Sequence, residues 1–294
     1  MTRGRLDLPT TASLIVTLLF WGSAFPFIRI ALRAYSPAHL TLFRFLTASA
    51  AMLAYALIAR TRLPALRDWG PLVGLSFLNV AAYHTLLNYG LVTVGAGAGS
   101  LIVNTAPVFA AVFAHRILGE PVDARAWAGL VISLAGAALI ALGGGAELKF
   151  SPGAALLVGC AITWGLSIVL TKPLLRRFSA LQVAMVSVWC GTAMLLVFAP
   201  GLREAVRTAP GAATWSIVYL GVFPIAVSYA TWSYALSRLP ATRVAGYTYT
   251  IPVIALAVAF VLLGETPGPL ALLGGAVALG GVFLANAGRR SVPA

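Results

Sequence analysis

The chain has 294 residues, 60% of them hydrophobic and 9% charged, with a mean hydropathy of +0.95; a water-soluble domain of this length needs far more polar surface, so lipid is the solvent for most of it. The formal net charge of +13 falls in short loops between apolar runs, which excludes the basic stripe on a soluble face that nucleic-acid binding requires. Ten apolar runs and their short loops account for nearly the whole length, leaving no room for a separate soluble domain.

In chain order the runs are 10–31, 38–58, 69–90, 96–116, 125–143, 152–171, 180–199, 212–235, 242–262 and 269–287. Proline and glycine punctuate the gaps, at Ser36-Pro37, Pro64, Pro121, Ser151-Pro152, Pro200-Gly201, Pro210-Gly211, Pro240 and Pro267-Gly268-Pro269. The first run is too long for the core of a signal peptide and lacks a small-residue cleavage site, so it reads as a retained span. Cys160 and Cys190 lie inside apolar runs with no ligand-type spacing. They read as small buried residues rather than as a disulfide or a metal site.

The basic residues orient the spans. With the N-terminus cytoplasmic, the inside segments carry 14 Lys and Arg residues and the outside segments 5. That asymmetry favours both termini on the cytoplasmic side, and the bias to Arg, Ala and Gly points to a GC-rich bacterial genome, so the expected location is a bacterial inner membrane. Arg44 is left over, inside the second span.

The chain also repeats. Trp21-Gly22-Ser23 in the first span finds Trp164-Gly165-Leu166 in the sixth, and Tyr83 in the third finds Tyr229 in the eighth. From residue 96 the register is firm: over 96–143 against 241–288, 15 of 48 positions are identical without a gap. Pro107 pairs with Pro252, and Gly119-Glu120 with Gly264-Glu265. Gly129, Gly136 and Gly143 pair with Gly274, Gly281 and Gly288. Five spans per copy is an odd number, so the second copy enters the membrane from the opposite side. The expected fold is an all-α integral membrane protein of ten transmembrane helices, built as two inverted five-helix repeats, residues 1–145 and 146–294.

Ten spans in two copies, Trp-Gly-Ser in span one, Arg44 early in span two, Pro107 and Pro252 in spans four and nine, and Gly-Glu closing each of those two: this combination resembles the drug/metabolite transporter superfamily. Within it the chain is most similar to the EamA family, and there to the YddG-type exporters of aromatic amino acids. The resemblance covers essentially the full length. It implies an inner-membrane transporter that exports aromatic amino acids and related metabolites by alternating access. Its cavity would be enclosed by spans three, four, eight and nine, with one and six beside them and five and ten at the back. Other metabolites or drugs are the alternative cargo.

The residues supply candidates for that cavity. All seven acidic residues lie in loops or at span ends, which argues against a carboxylate-coupled drug/proton antiporter. His84 is the leading ionisable group inside a span, read either as a neutral imidazole bridging helices or as a substrate contact or proton relay. Arg44 reads either as a structural residue snorkelling outward or bound to helix-end carbonyls, or as a ligand for a substrate carboxylate near the outer mouth. Spans three, four, eight and nine add Asn79, Tyr83, Asn88, Asn104, Tyr229, Trp232, Ser233, Tyr234, Tyr247 and Tyr249, and Trp21 with Trp164 forms a symmetric pair. Aromatic faces and neutral amides suit an uncharged or zwitterionic, moderately apolar solute.

The candidate substrate-binding set is therefore Trp21, Asn79, Tyr83, His84, Asn88, Asn104, Trp164, Tyr229, Ser233, Tyr247 and Tyr249. Pro107 and Pro252, with Gly99 and Gly246 ahead of them, are the candidate hinges. The glycines spaced by seven in spans five and ten form a seam for close helix packing, against each other or across a dimer interface. No catalytic residue, cofactor or metal is expected, because the spans hold no acidic residue, no paired-histidine motif and no glycine-framed nucleophile. The expected partners are a small-molecule substrate and the bilayer, with the chain a monomer or weak homodimer.

The charge asymmetry makes a topological prediction. In a background without Cys160 and Cys190, Arg62→Cys and Arg177→Cys should react with a membrane-impermeant maleimide only from the cytoplasmic side, and Arg203→Cys only from outside. The reverse labelling would invert the orientation.

Overall fold

A computed structural model describes residues 6–94, 96–143, 151–263 and 268–286, and among these every regular element is helical. α1 is Leu8–Ala31 and α2 Pro37–Ile58. α3 is helical over Gly70–Ser76 and Tyr83–Thr93, with a π-helical turn at Phe77–Ala82 between them. α4 comprises Ala96–Val103 and Ala106–Leu118, broken at Asn104 and Thr105. α5 is Ala124–Gly143, α6 Pro152–Leu174 and α7 Ala180–Leu195. α8 joins Gly211–Leu220 to Ser228–Arg238 through a second π-helical turn, Gly221–Val227. α9 comprises Ala241–Tyr247, a tight turn at Thr248–Thr250, and Ile251–Leu263; α10 is Pro269–Asn286.

Eight helices among the described residues are long and apolar enough to cross a membrane. The sequence predicts ten such spans. The difference lies in α9 and α10, the latter a shorter apolar helix over Pro269–Ala285. Leu57, Val131, Trp215, Phe260 and Phe283 are exposed, as side chains that meet lipid rather than water are expected to be.

The helix starts follow from local chemistry. Asp7 accepts from the Thr10 amide at 2.9 Å and Ser36 from His39 at 3.2 Å. In the second half Ser151 accepts from Ala154 at 3.2 Å, and Ser179 from Gln182 at 3.2 Å, with the Gln182 side chain reaching back to the Ser179 amide. Each cap satisfies an amide that the helix itself cannot. The two π-helical turns also fall at matching places, just ahead of or at the paired tyrosines Tyr83 and Tyr229. The breaks in α4 and α9 likewise match. Each is followed within a few residues by Pro107 or Pro252, which have no amide to give to the interrupted ladder. Gly99 and Gly246 lie in the short segments before the breaks.

Glycine sets how the two halves meet. A Cβ on Gly165 would stand 2.9 Å from Ala106 O, Ala110 N and Phe109 Cβ. A Cβ on Gly22 would stand 2.5 Å from Ile254 Cγ2. Phe109 and Ile254 are equivalent in the repeat register, so the two contacts are reciprocal: α6 lies on α4, and α1 on α9. The glycine seams of α5 and α10 face each other. Gly129 approaches Gly281 and Ala285, Gly136 approaches Gly274 and Ala278, and Gly143 approaches Ala271. The sequence order of these contacts makes the two helices antiparallel, as inverted copies require. The seam is thus satisfied within the chain.

Hydrogen bonds sort the loops into two faces. On one, Arg177 pairs with Asp68 at 3.2 Å, and the Gln182 side chain donates to Arg62 O at 2.7 Å. On the same face the Glu120 carboxylate, just after Gly119 in its left-handed conformation, accepts from the Ala241 and Thr242 amides at 2.9 and 3.2 Å. Lys172 donates to Leu236 O at 2.8 Å and Leu239 O at 2.5 Å. The α8–α9 corner is therefore clasped at its carbonyls by α6 and at its amides by α4. On the other face Tyr35 meets Thr214 at 2.8 Å, and His39 meets Pro200 O at 2.9 Å.

The seam can be tested against an open glycine. Gly136→Ala places a methyl against Ala278 Cα at 2.6 Å and should cost about 1–3 kcal/mol. Gly74→Ala has nothing within 4 Å and should be neutral or stabilise by about 0.5–1 kcal/mol. Thermal unfolding in detergent micelles reads both, and equal midpoints would remove the seam from the account.

Candidate substrate cavity

Four aromatic side chains converge where the halves meet. Trp21 of α1, Trp164 of α6 and Trp232 of α8 have ring centroids 5.0–6.0 Å apart, with Trp164 and Trp232 stacked. Tyr83 of α3 lies 5.1 Å from Trp164. Trp21 is fixed by its indole N–H, which donates to Pro224 O at 2.9 Å. That carbonyl belongs to the π-helical turn of α8, so the wide turn holds the box in register.

Beside the box is a cavity of about 20 Å³, room for about one water molecule. Trp21, Asn79, Trp164, Tyr229, Trp232 and Ser233 line it, with Leu75, Ser167, Ile168 and Thr171, and with Val183, Ala184 and Ser187 from α7. The resemblance implies walls from spans three, four, eight and nine, with one and six beside them; this cavity is lined from α1, α3, α6, α7 and α8. Ser187 is buried with its hydroxyl unpartnered, and so is Asn79 Oδ1. Nothing in the sequence singles out Ser187, since a serine in an apolar helix ordinarily bonds to its own preceding turn, as Ser167 does to Trp164 O at 2.8 Å.

A polar chain runs from α2 to the cavity wall. Arg44 Nη2 donates to His84 Nδ1 at 2.6 Å. Arginine cannot accept, so the His84 proton sits on Nε2 and faces Tyr229 Oη at 3.3 Å. Tyr229 in turn donates to Asn79 O, in the π-helical turn of α3, at 3.4 Å. His84 is therefore a neutral imidazole bridging helices. Arg44 does not snorkel. It is buried, with Phe45 under its guanidinium at 5.7 Å. α8 packs closely on the same turn of α2: a Cβ on Gly221 would stand 2.5 Å from Arg44 O.

Seven of the sequence candidates thus share one neighbourhood: Trp21, Asn79, Tyr83, His84, Trp164, Tyr229 and Ser233. Four do not. Asn88 donates to Thr41 and to Pro37 O, tying α3 to the start of α2. Asn104 lies in the break of α4. Tyr247 is half-buried against the α8–α9 and α5 clusters. Tyr249 is fully buried among Ala111, Leu130, Ala137 and Val282, on the α5 and α10 side. Trp232, read from the sequence only as one aromatic among many, completes the box.

Comparison with known proteins gives a consistent picture. A "Probable terminal-alkyne amino-acid exporter" from Streptantibioticus cattleyicolor is 41% identical over 93% of this chain and 92% of its own. The "Uncharacterized transporter YdfC" of Bacillus subtilis is 38% identical over 96% and 92%. The "Uncharacterized inner membrane transporter YedA" of Escherichia coli K12 is 28% identical over 99% and 95%. A solved crystal structure superposes with a TM-score of 0.77 over 94% of this chain and 96% of its own; at 21% identity it establishes a shared fold alone. The profile of the EamA-like transporter family matches twice, over residues 10–142 and 151–287, and this multi-pass membrane chain belongs to that family.

Proposed function

We propose that this protein exports amino acids across the bacterial inner membrane, with aromatic side chains preferred. The observation that carries the reading is the box of Trp21, Tyr83, Trp164 and Trp232 beside a small polar cavity between the halves. Stacked rings accept a flat apolar side chain, and Asn79, Ser187 and Ser233 offer neutral hydrogen bonds to a backbone-like end. The amino-acid exporter named among its relatives supports the substrate class.

A cavity of about 20 Å³ cannot hold a whole amino acid, so loading requires the halves to part. In our reading they rock about the paired breaks at Pro107 and Pro252, and exchange of their conformations opens one mouth and then the other. The Glu120 and Lys172 clasp then closes the cytoplasmic mouth, given the orientation that the basic loops favour. Residues 1–145 and 146–294 are the two inverted repeats that exchange conformation, and a monomer suffices because the glycine seam is used within the chain.

The same relative's name favours a second reading, an amino acid with a slender unsaturated side chain. Purified protein in liposomes separates them. Radiolabelled phenylalanine, tyrosine or tryptophan should move down its gradient, and Trp164→Ala should slow that flux about tenfold or more when compared per amount of folded protein. Competition by an alkynyl amino acid stronger than by phenylalanine would select the second reading. No movement of phenylalanine, tyrosine, tryptophan or threonine would end the aromatic claim.

A further inference from the structure

Arg44 is a permanent cation, only 7% exposed, inside a membrane-spanning helix. Its partners are both neutral: the His84 imidazole and the face of Phe45. Its Nε is buried with no hydrogen-bond partner. The acidic side chains among the described residues are engaged elsewhere. Asp7 and Asp123 cap α1 and α5, Asp68 meets Arg177, Glu120 holds the start of α9, and Glu204 faces Arg207. A buried guanidinium without a counter-charge is costly, and charges kept inside membrane spans serve solute pathways. The side chain is linked to the cavity by two groups: the His84 ring, then the Tyr229 hydroxyl on the cavity wall.

The missing counter-charge and the proposed solute fit one another. Resting on the amino-acid reading above, we infer that Arg44 anchors the α-carboxylate of the transported solute. Its planar fork matches a carboxylate in bidentate geometry, which an imidazole nitrogen fills at a single point. His84 Nδ1 is the neutral acceptor that holds the fork until the carboxylate takes its place. The chain needs no acidic residue in its spans because the solute supplies the anion. The α-carboxylate then sits toward the α2–α3 side, with the side chain directed across Tyr83 to the tryptophan box.

The test uses two matched pairs of probes on the full-length protein in detergent: phenylalanine with phenylalaninamide, and 3-phenylpropionate with 3-phenylpropionamide. Binding is read by tryptophan fluorescence and thermal shift. The wild type should favour each carboxylate over its amide by about 10- to 100-fold. Arg44→Gln should erase the gap, and Arg44→Lys should keep part of it; if the glutamine variant does not fold, the lysine variant and the wild-type pairs still decide. Equal affinity within the pairs, no binding of any carboxylate, or a gap that survives Arg44→Gln overturns the assignment. If phenylalanine and its amide bind equally, the amino-acid reading stands and the anchor falls. If only 3-phenylpropionate is bound, with a gap that depends on Arg44, the anchor stands and the amino-acid reading falls.

Discussion

Helices in lipid gain little from burying apolar side chains against one another, so their association depends on how closely their backbones approach. In this protein the decisive approaches are reciprocal. Gly165 of α6 receives the turn of α4 around Phe109, and Gly22 of α1 receives the turn of α9 around Ile254. Each half thereby lays its first helix on the fourth helix of the other. The residue before each glycine is Trp21 or Trp164, and the same contact that seats the glycine leaves the indole directed at the centre. The Trp-Gly pairs are in this sense one device used twice: a glycine that joins the halves and a tryptophan that lines what lies between them.

The rest of the centre follows from wide turns. A π-helical turn adds a residue and so rotates everything beyond it by about 100°. In α8 this frees Pro224 O to fix the Trp21 indole, and in α3 it offers Asn79 O to Tyr229. Symmetry governs the backbone here, while the side chains depart from it. His84 has Ala230 as its counterpart in the repeat register, and Arg44 has no basic partner in α7. The polar chain from Arg44 to Asn79 therefore exists on one side only.

Much of the scaffold was legible in the sequence. Apolar runs gave the helices, and proline and glycine gave the gaps. The ungapped match of 96–143 to 241–288 gave the duplication, and the seven-residue glycine spacing gave the α5–α10 seam. For His84 the sequence left a neutral bridge between helices and a substrate contact or proton relay both open. The π-helical turns could not be read, because no residue type marks them, and a shifted face alters which neighbours a side chain meets. Arg44 looked able to snorkel, and it lies buried on His84 instead. Tyr249 looked like a wall residue because it is an aromatic of span nine, and it packs on the α5–α10 side, within the tight turn Thr248–Thr250. Trp232 was one aromatic among several until the fold placed it on Trp164.

In the alternating-access reading, the centre between the halves is reached by releasing contacts at one mouth rather than through a fixed pore. Glu120 and Thr242 meet side chain to side chain at that mouth, at 3.2 Å. A Glu120→Cys, Thr242→Cys variant lacking the native cysteines, joined by a disulfide or a short bifunctional thiol reagent, holds the mouth shut. The measurement is solute flux through this variant in liposomes before joining, after joining, and, for the disulfide, after reduction. Alternating access requires flux to fall on joining and to return on reduction; undiminished flux through the locked protein would rule out a mouth that must open.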